Sequence, residues 1–357
     1  MQCAAARTLM PPRRRRGDDP GSRWRHVPLV LLLLAGALSG VLLWGYTPDL
    51  PRDYLIERYG QPPSTFIDVG GTRAHVLDQG KSAGMPLVLI HGSLESLQVW
   101  DGWVAELKDR YRLISVDLPG HGLTGPWARG EYTVDAYADF IEVLADTLRL
   151  DRFAIAGHSL GGAVAWTFAA TRPERVNHLI LVDSAAFPRE GGPAWRTRLA
   201  RAPAIGDIGI YFKPEWVARR ALQEVYTDPA MVTPERVRRF AELQRYPGNR
   251  KATLQRTRTQ EPLDPTPLKR LDVPTLIIWG AQDRWTPVAD AFRLQTDIRG
   301  SKLALFSKPG HNPMEEDPKG TAAAVAGFLP SELPSPIAPP PPPTSDEVAP
   351  AVVPEKD

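Results

Sequence analysis

Ile155-Ala156-Gly157-His158-Ser159-Leu160-Gly161-Gly162 sets a serine between glycines at the junction of two apolar runs. The run 153–156 reads as a buried strand, and 163–170 reads as a packed helix. G-x-S-x-G between strand and helix is the pattern of a nucleophile elbow, a turn sharp enough to lift the serine out of the sheet. Such a turn strains the serine backbone and brings strand and helix so close that a Cβ at Gly157 or Gly161 is expected to clash. It exposes Ser159 Oγ and leaves the Leu160 N–H directed at a reacting oxygen. The chemistry implied is nucleophilic attack with the developing oxyanion held by a backbone donor. The five-residue pattern alone also fits a structural loop; its strand–turn–helix setting favours the chemistry. A serine hydroxyl is a poor nucleophile at neutral pH, so a base must come from elsewhere in the chain.

The flanking elements have the periodicities needed to hold such a turn. Segments 66–69 and 73–77 alternate around Gly70-Gly71, a hairpin signal. Pro86-Leu87-Val88-Leu89-Ile90 is a continuous apolar run, as for a central parallel strand, and His91-Gly92-Ser93 follows it. Val99, Trp100, Trp103, Val104 and Leu107 recur at helical spacing, and 134–148 is an amphipathic helix. Further strands are expected at 111–116, 179–183, 275–279 and 303–306. Strands alternating with helices specify a mostly parallel sheet covered on both faces. Between Phe187 and Asp272 the alternation stops, and 214–226, 234–246 and 251–258 look helical. A long helical excursion late in a doubly wound sheet reads as a cap over the carboxyl edge, where such sheets bind ligands. Trp195 and Trp216 are expected there as apolar contacts or cap core.

The 357 residues carry a formal charge of +2, unevenly spread. Residues 1–26 hold seven arginines and two aspartates, a net +5, and 331–357 hold five acids and one lysine, a net −4. The +1 that remains over the middle gives no sign of a nucleic-acid partner. The single cysteine, Cys3, excludes an intrachain disulfide and any multi-cysteine metal site. No metal motif, phosphate-cradling loop or nucleotide fingerprint is found, so no cofactor is expected. Residues 27–46 are apolar, close on Trp44 and Tyr46, and follow a cluster of arginines. This predicts a transmembrane anchor with 1–26 cytoplasmic and the rest on the periplasmic or extracellular side. A cleaved signal peptide with secretion is the alternative. Residues 47–64 read as a linker or docking arm, and 331–357 as a proline-rich disordered tail.

Together these residues resemble an α/β-hydrolase-fold enzyme of the capped, alpha/beta-hydrolase-1 type. Five landmarks occur in order: His91-Gly92, Asp117-Leu118-Pro119-Gly120-His121-Gly122, Gly157-His158-Ser159-Leu160-Gly161-Gly162, Trp279-Gly280-Ala281-Gln282-Asp283 and Gly310-His311. The resemblance spans Phe66 to Leu329. It implies a core formed by 65–186 and 273–330 with a helical cap at 187–272, after the strand ending at Asp183. It further implies a triad of Ser159, His311 as base and Asp283 as the carboxylate orienting that base. Asp183 is the rival carboxylate. The oxyanion hole is expected from the N–H groups of Leu160 and Ser93. The side chains of His91, Ser93 and His158 can line the pocket, with structural hydrogen bonding the plainer role for the two histidines.

A serine at position 159 excludes the epoxide-hydrolase and dehalogenase relatives, which carry aspartate there. The expected activity is hydrolysis of a small acyl substrate with an apolar part, an ester foremost. An amidase or a carbon–carbon-bond hydrolase using the same triad is the alternative. A non-catalytic ligand-binding protein of the same fold is the alternative from another class. Oligomeric state is not legible.

Overall fold

In the computed structural model, residues 27–188 and 195–330 are described. The basic segment 1–26, residues 189–194 and the tail 331–357 lie outside the described residues. The described residues begin with helix α1 (Val27–Gly45), followed by helix α2 (Arg52–Tyr59). The body then runs β1 (Thr65–Val69), β2 (Thr72–Gly80), β3 (Pro86–Ile90), α3 (Asp101–Leu107), β4 (Arg112–Val116), α4 (Val134–Thr147), β5 (Phe153–His158), α5 (Leu160–Thr171) and β6 (Val176–Val182). A helical insertion follows: α6 (Trp195–Arg201), α7 (Ile205–Gly209), α8 (Glu215–Val225), α9 (Pro234–Gln244) and α10 (Asn249–Thr259). The body closes with β7 (Thr275–Gly280), α11 (Val288–Asp297), β8 (Lys302–Phe306), α12 (Pro313–Glu316) and α13 (Pro318–Phe328).

The eight strands form one sheet in the order β1-β2-β4-β3-β5-β6-β7-β8. β1 and β2 pair antiparallel, as do β2 and β4; from β4 to β8 every pairing is parallel. The α/β architecture expected from the alternating pattern is therefore present. Its core has two sides because successive strand residues face opposite ways. Val88, Ile90, Ile155, Leu179 and Ile277 pack toward α4, α5 and α11, whereas Leu87, Leu89, Ala156, Ile180 and Ile278 pack toward α3 and α13. Burial on both faces is why β3, β5 and β7 read as unbroken apolar runs rather than alternating ones.

Of the two readings of 47–64, linker or docking arm, the structure shows the arm: it contains α2, whose Leu55 is fully buried with Leu123, Leu243 and Tyr246. Tyr54 and Tyr59 donate to Glu242 of α9 at 3.2 and 2.7 Å, so this arm is fastened to the insertion. Its proline and charge content disguised a short helix held by tertiary contacts rather than by periodicity. Trp216, expected as cap core or pocket wall, is 60% exposed. The buried positions of its helix, Ala218 and Leu222, lie on the opposite side of α8. The side chain of Trp195 lies outside the described residues.

Helix α1 is 19 residues long. Eight of its side chains fall outside the described residues; among the described residues no helix is long and apolar enough to cross a membrane.

The close approach at the elbow makes a test of the fold. A Cβ at Gly161 would stand 2.2 Å from the Ile90 carbonyl oxygen, whereas one at Gly327, near the end of α13, meets nothing within 4 Å. Gly161→Ala is expected to lose at least about 3 kcal/mol of stability or fail to fold. Gly327→Ala is expected to gain about 0.5 kcal/mol through helix propensity. Urea denaturation of the two variants reads both.

Candidate active site

The parallel sheet brings the singled-out residues to one edge. Ser93 follows β3 and Ser159 follows β5, and these strands are neighbours. Asp283 follows β7 and His311 follows β8, also neighbours. Carboxyl ends of parallel strands share one side of the sheet, so four loops far apart in sequence meet there.

Ser159 has φ 51° and ψ −112°, a conformation that a non-glycine residue holds only under strain. The surroundings over-determine it. Its N–H donates to Val182 O at 3.0 Å, and its carbonyl accepts from Ala163 N at 3.2 Å and Ala185 N at 3.0 Å. A Cβ at Gly157 would lie 2.0 Å from Gly161 O, and one at Gly162 would lie 2.3 Å from Ser184 Oγ. Only glycines let α5 start this close to β3 and β5. Leu160 is the first residue of α5, so its N–H has no intrahelical acceptor.

His311 is buried and its Nδ1 lies 2.8 Å from Asp283 Oδ2. Burial pushes the imidazole down, and the hydrogen bond to Asp283 restores only part of that shift. At neutral pH the ring is therefore neutral, the state in which it can accept a proton. Burial pushes the Asp283 carboxyl up, but the His311 hydrogen bond and charge outweigh it and leave the group below its ordinary value. Asp283 also accepts from Trp285 N at 2.6 Å, Thr286 N at 3.1 Å and Thr286 Oγ1, which fixes the carboxylate. The rival Asp183 sits behind it. Its Oδ1 accepts from Gly280 N at 3.0 Å, and no hydrogen bond links it to His311. Burial, with the Asp283 charge beside it, pushes the Asp183 carboxyl well up.

Ser159 and His311 line one cavity of about 130 Å³. Ser93, Glu95, His158, Trp285 and Asn312 contribute from the body, and Leu222, Val225, Arg236, Arg239 and Phe240 from the insertion. His91 is not among the lining residues. Its Nε2 accepts from Leu118 N at 3.0 Å and its Nδ1 lies 2.7 Å from Gly92 O, holding the loop after β3. Among the described residues no group of acids, histidines and cysteine could hold a metal ion.

Several residues at the site went unnoticed in the sequence. Glu95 Oε2 lies 2.8 Å from His158 Nδ1 and accepts from Gly92 N at 2.8 Å, and Glu95 Oε1 accepts from Asn312 Nδ2 at 2.8 Å. His158 Nε2 in turn lies 2.7 Å from His311 O. Burial pushes Glu95 up, but the His158 charge and hydrogen bond outweigh it and leave the carboxyl at about 2. His158 is pushed down by burial and raised more strongly by Glu95, for a net rise. The two form a buried pair joining the loop after β3, the elbow and the loop after β8. Arg256 of α10 is buried and donates to Ser93 Oγ through Nη2. Val225 O, at the end of α8, accepts from His311 N at 3.0 Å. A lone acid in a loop or a single buried arginine on a polar helix gives no signal of its own, so only the neighbour across the fold reveals these contacts.

Comparison with known proteins agrees with the fold. A family model described as the alpha/beta hydrolase fold matches residues 85–318. The pimeloyl-[acyl-carrier protein] methyl ester esterase of Nitrosomonas europaea is 32% identical over 66% of this chain and 92% of its own. The 2-hydroxy-6-oxo-2,4-heptadienoate hydrolase of Pseudomonas putida is 28% identical over 75% of this chain and 96% of its own. The structure of a meta-cleavage product hydrolase from Pseudomonas fluorescens superposes with a TM-score of 0.64, at 26% identity over 74% of this chain and 96% of that one.

The Glu95–His158 pair gives a pH-resolved prediction. The depressed Glu95 contributes stability above its ordinary value of 4.5, lost as pH falls through about 2. The raised His158 contributes below its ordinary 6.5, lost as pH rises through its folded value. Glu95→Leu is therefore expected to cost about 3 kcal/mol, most between pH 4.5 and 6.5. Denaturant titrations across pH should show the gap from the native chain narrowing on both sides.

Proposed function

Since the chain belongs to the alpha/beta hydrolase fold family, we propose that it is a serine hydrolase that cleaves a small acyl substrate, an ester foremost. His311 takes the proton of Ser159, the Oγ attacks the carbonyl carbon, and the tetrahedral oxyanion is held by the N–H groups of Leu160 and Ser93. Asp283 keeps the proton of His311 on Nδ1 and stabilises the imidazolium that forms. His311 then protonates the leaving alcohol, and the same groups activate water to release the acid from the acyl-enzyme. The observation that carries this reading is the 2.8 Å His311–Asp283 contact beside a strained Ser159 in one cavity. The cavity wall is largely apolar, which suits an acyl chain, and requires no cofactor.

A carbon–carbon-bond hydrolase is the second reading. Arg236 and Arg239 face the cavity, and the name of the Pseudomonas putida relative's substrate denotes a carboxylate that such groups would receive. A ligand-binding protein without turnover has no use for the triad.

The same proposal makes the chain membrane-tethered through 27–46, with 1–26 cytoplasmic and the catalytic body on the periplasmic or extracellular side. Helix α1 carries no charged residue, and its 19 residues rise about 28 Å, close to the roughly 30 Å of a bilayer core.

A fluorophosphonate probe is expected to label the native chain, which should hydrolyse p-nitrophenyl esters of short or medium acyl chains. Ser159→Ala should lose labelling and at least about 10⁴-fold in kcat. Equal labelling of the variant would remove the enzyme reading. Because burial holds His311 below its ordinary 6.5, kcat/KM should rise with pH through a midpoint under 6.5 and then level off. A midpoint above 6.5 in the pH–rate profile would contradict a neutral buried base.

A further inference from the structure

Outside α1, ten large apolar side chains among the described residues are exposed, and four of them fall between 199 and 216: Leu199 at 47%, Ile205 at 55%, Ile208 at 59% and Trp216 at 60%. Water-facing apolar side chains concentrated on one short stretch mark a contact surface. The stretch sits where α1 arrives. A Cβ at Gly45, the last residue of α1, would lie 3.3 Å from Phe212, and the Tyr46 ring stands 6.3 Å from Tyr211 and 6.0 Å from Phe212. Thr47 donates from N to Tyr211 O at 2.7 Å, and Arg250 clamps Asp49 and the Thr47 carbonyl. Tyr211 in turn donates to Ile208 O at 3.0 Å. The end of α1 is thus docked directly after Ile208, on the stretch that carries the exposed side chains.

Charge gives a second, independent indication. Residues 195–259 hold fourteen Lys and Arg against six Asp and Glu; with Arg250 and Arg256 buried and Arg236 and Arg239 turned into the cavity, the remaining ten cations still exceed the acids by four. Exposed aliphatic side chains set in a basic surface fit the interface of an anionic bilayer, where apolar groups enter the acyl boundary and cations meet the headgroups. A nucleic acid would match the charge but has no use for the aliphatic side chains.

From these observations we infer that the α6–α7 face of the insertion, with Trp216, rests on the anionic leaflet of the membrane in which α1 is anchored. The inference rests on the anchored reading above and extends it to the insertion. Helix α8 begins beside Trp216 and lines the catalytic cavity with Ala221, Leu222 and Val225. The cavity wall and the bilayer contact therefore belong to one helix.

The test uses the full chain with Cys3→Ser and one added cysteine: Ile205→Cys, Ile208→Cys or, as control, Phe292→Cys, which is 50% exposed on α11 of the body. Each is labelled with bimane and reconstituted into vesicles of phosphatidylcholine with 30% phosphatidylglycerol (a composition of about this order suffices for an anionic surface) containing headgroup-region spin-labelled lipid. Bimane at 205 and 208 is expected to be quenched several-fold more than at 292. That excess should shrink when phosphatidylglycerol is omitted or salt is raised. Equal quenching at the three positions overturns the inference. So does quenching replaced by disulfide cross-linking between unlabelled copies at 208, which would make the face a contact between chains. Binding of a DNA duplex that displaces the vesicle contact would overturn it in favour of a nucleic-acid surface. Flotation after alkaline carbonate extraction separates the two readings. Chains that float without quenching sink only the patch, and chains that do not float sink the anchor and the patch together.

Discussion

The architecture depends on how closely the first turn of α5 presses on the strand ends. Gly161 lies against the Ile90 carbonyl and Gly162 against Ser184, with Gly157 facing Gly161 across the turn. No side chain larger than hydrogen fits at any of the three. Ser159 takes its positive φ at this contact and lines the cavity, with the Leu160 amide at the helix start, where no intrahelical acceptor exists. It also ties the elbow to the carboxyl end of β3, the strand that leads into Ser93. Ser159 and the Leu160 amide are therefore placed by close backbone contact, with no side chain there to give way.

A second constraint supplies what backbone packing cannot. The loops after β3, β5 and β8 have no strand pairing beyond the sheet edge, and the Glu95 carboxylate gathers all three. It receives the Gly92 amide from the first loop, His158 from the second and the Asn312 amide from the third. His158 returns to the third loop through the His311 carbonyl. A buried carboxylate costs free energy unless it is paired and saturated with donors, and here every neighbour is one the site needs in place. The pair thus converts a desolvation cost into a fixed distance between the loop after β3 and the loop after β8.

How much of this was legible follows from the range of the interactions. The parallel strands and the elbow were readable because their causes are local: apolar runs buried on both faces, and glycines flanking a serine between strand and helix. The residues expected at Ser159, Asp283, His311, Ser93 and Leu160 lie at carboxyl ends within the parallel run β3-β5-β6-β7-β8, because the strand order places them there. Helix α2 was hidden because its stability comes from Leu55 buried among residues up to 191 positions away, such as Tyr246. Trp216 misled because a tryptophan in a helical insertion ordinarily packs inward, whereas here the inward positions are Ala218 and Leu222. Glu95, Arg256 and the Val225 carbonyl have no signature in one dimension; their partners are far along the chain.

The insertion is more than a cover, because it is attached at His311. Val225 O, the last carbonyl of α8, accepts the His311 amide, and the next two residues bind the short helix after it. Tyr226 donates to Glu315 at 2.5 Å, and Thr227 N donates to Glu316 at 2.9 Å. Glu316 also accepts from Gly310 N at 2.7 Å, immediately before His311. Helix α8 cannot shift along its axis without drawing on the amide that positions the imidazole. Its buried residue Leu222 also lines the cavity, so whatever fills that cavity presses on the element that holds the base. One helix of the insertion thus shapes the cavity through Leu222 and holds the His311 amide through Val225, so a change in that helix alters both.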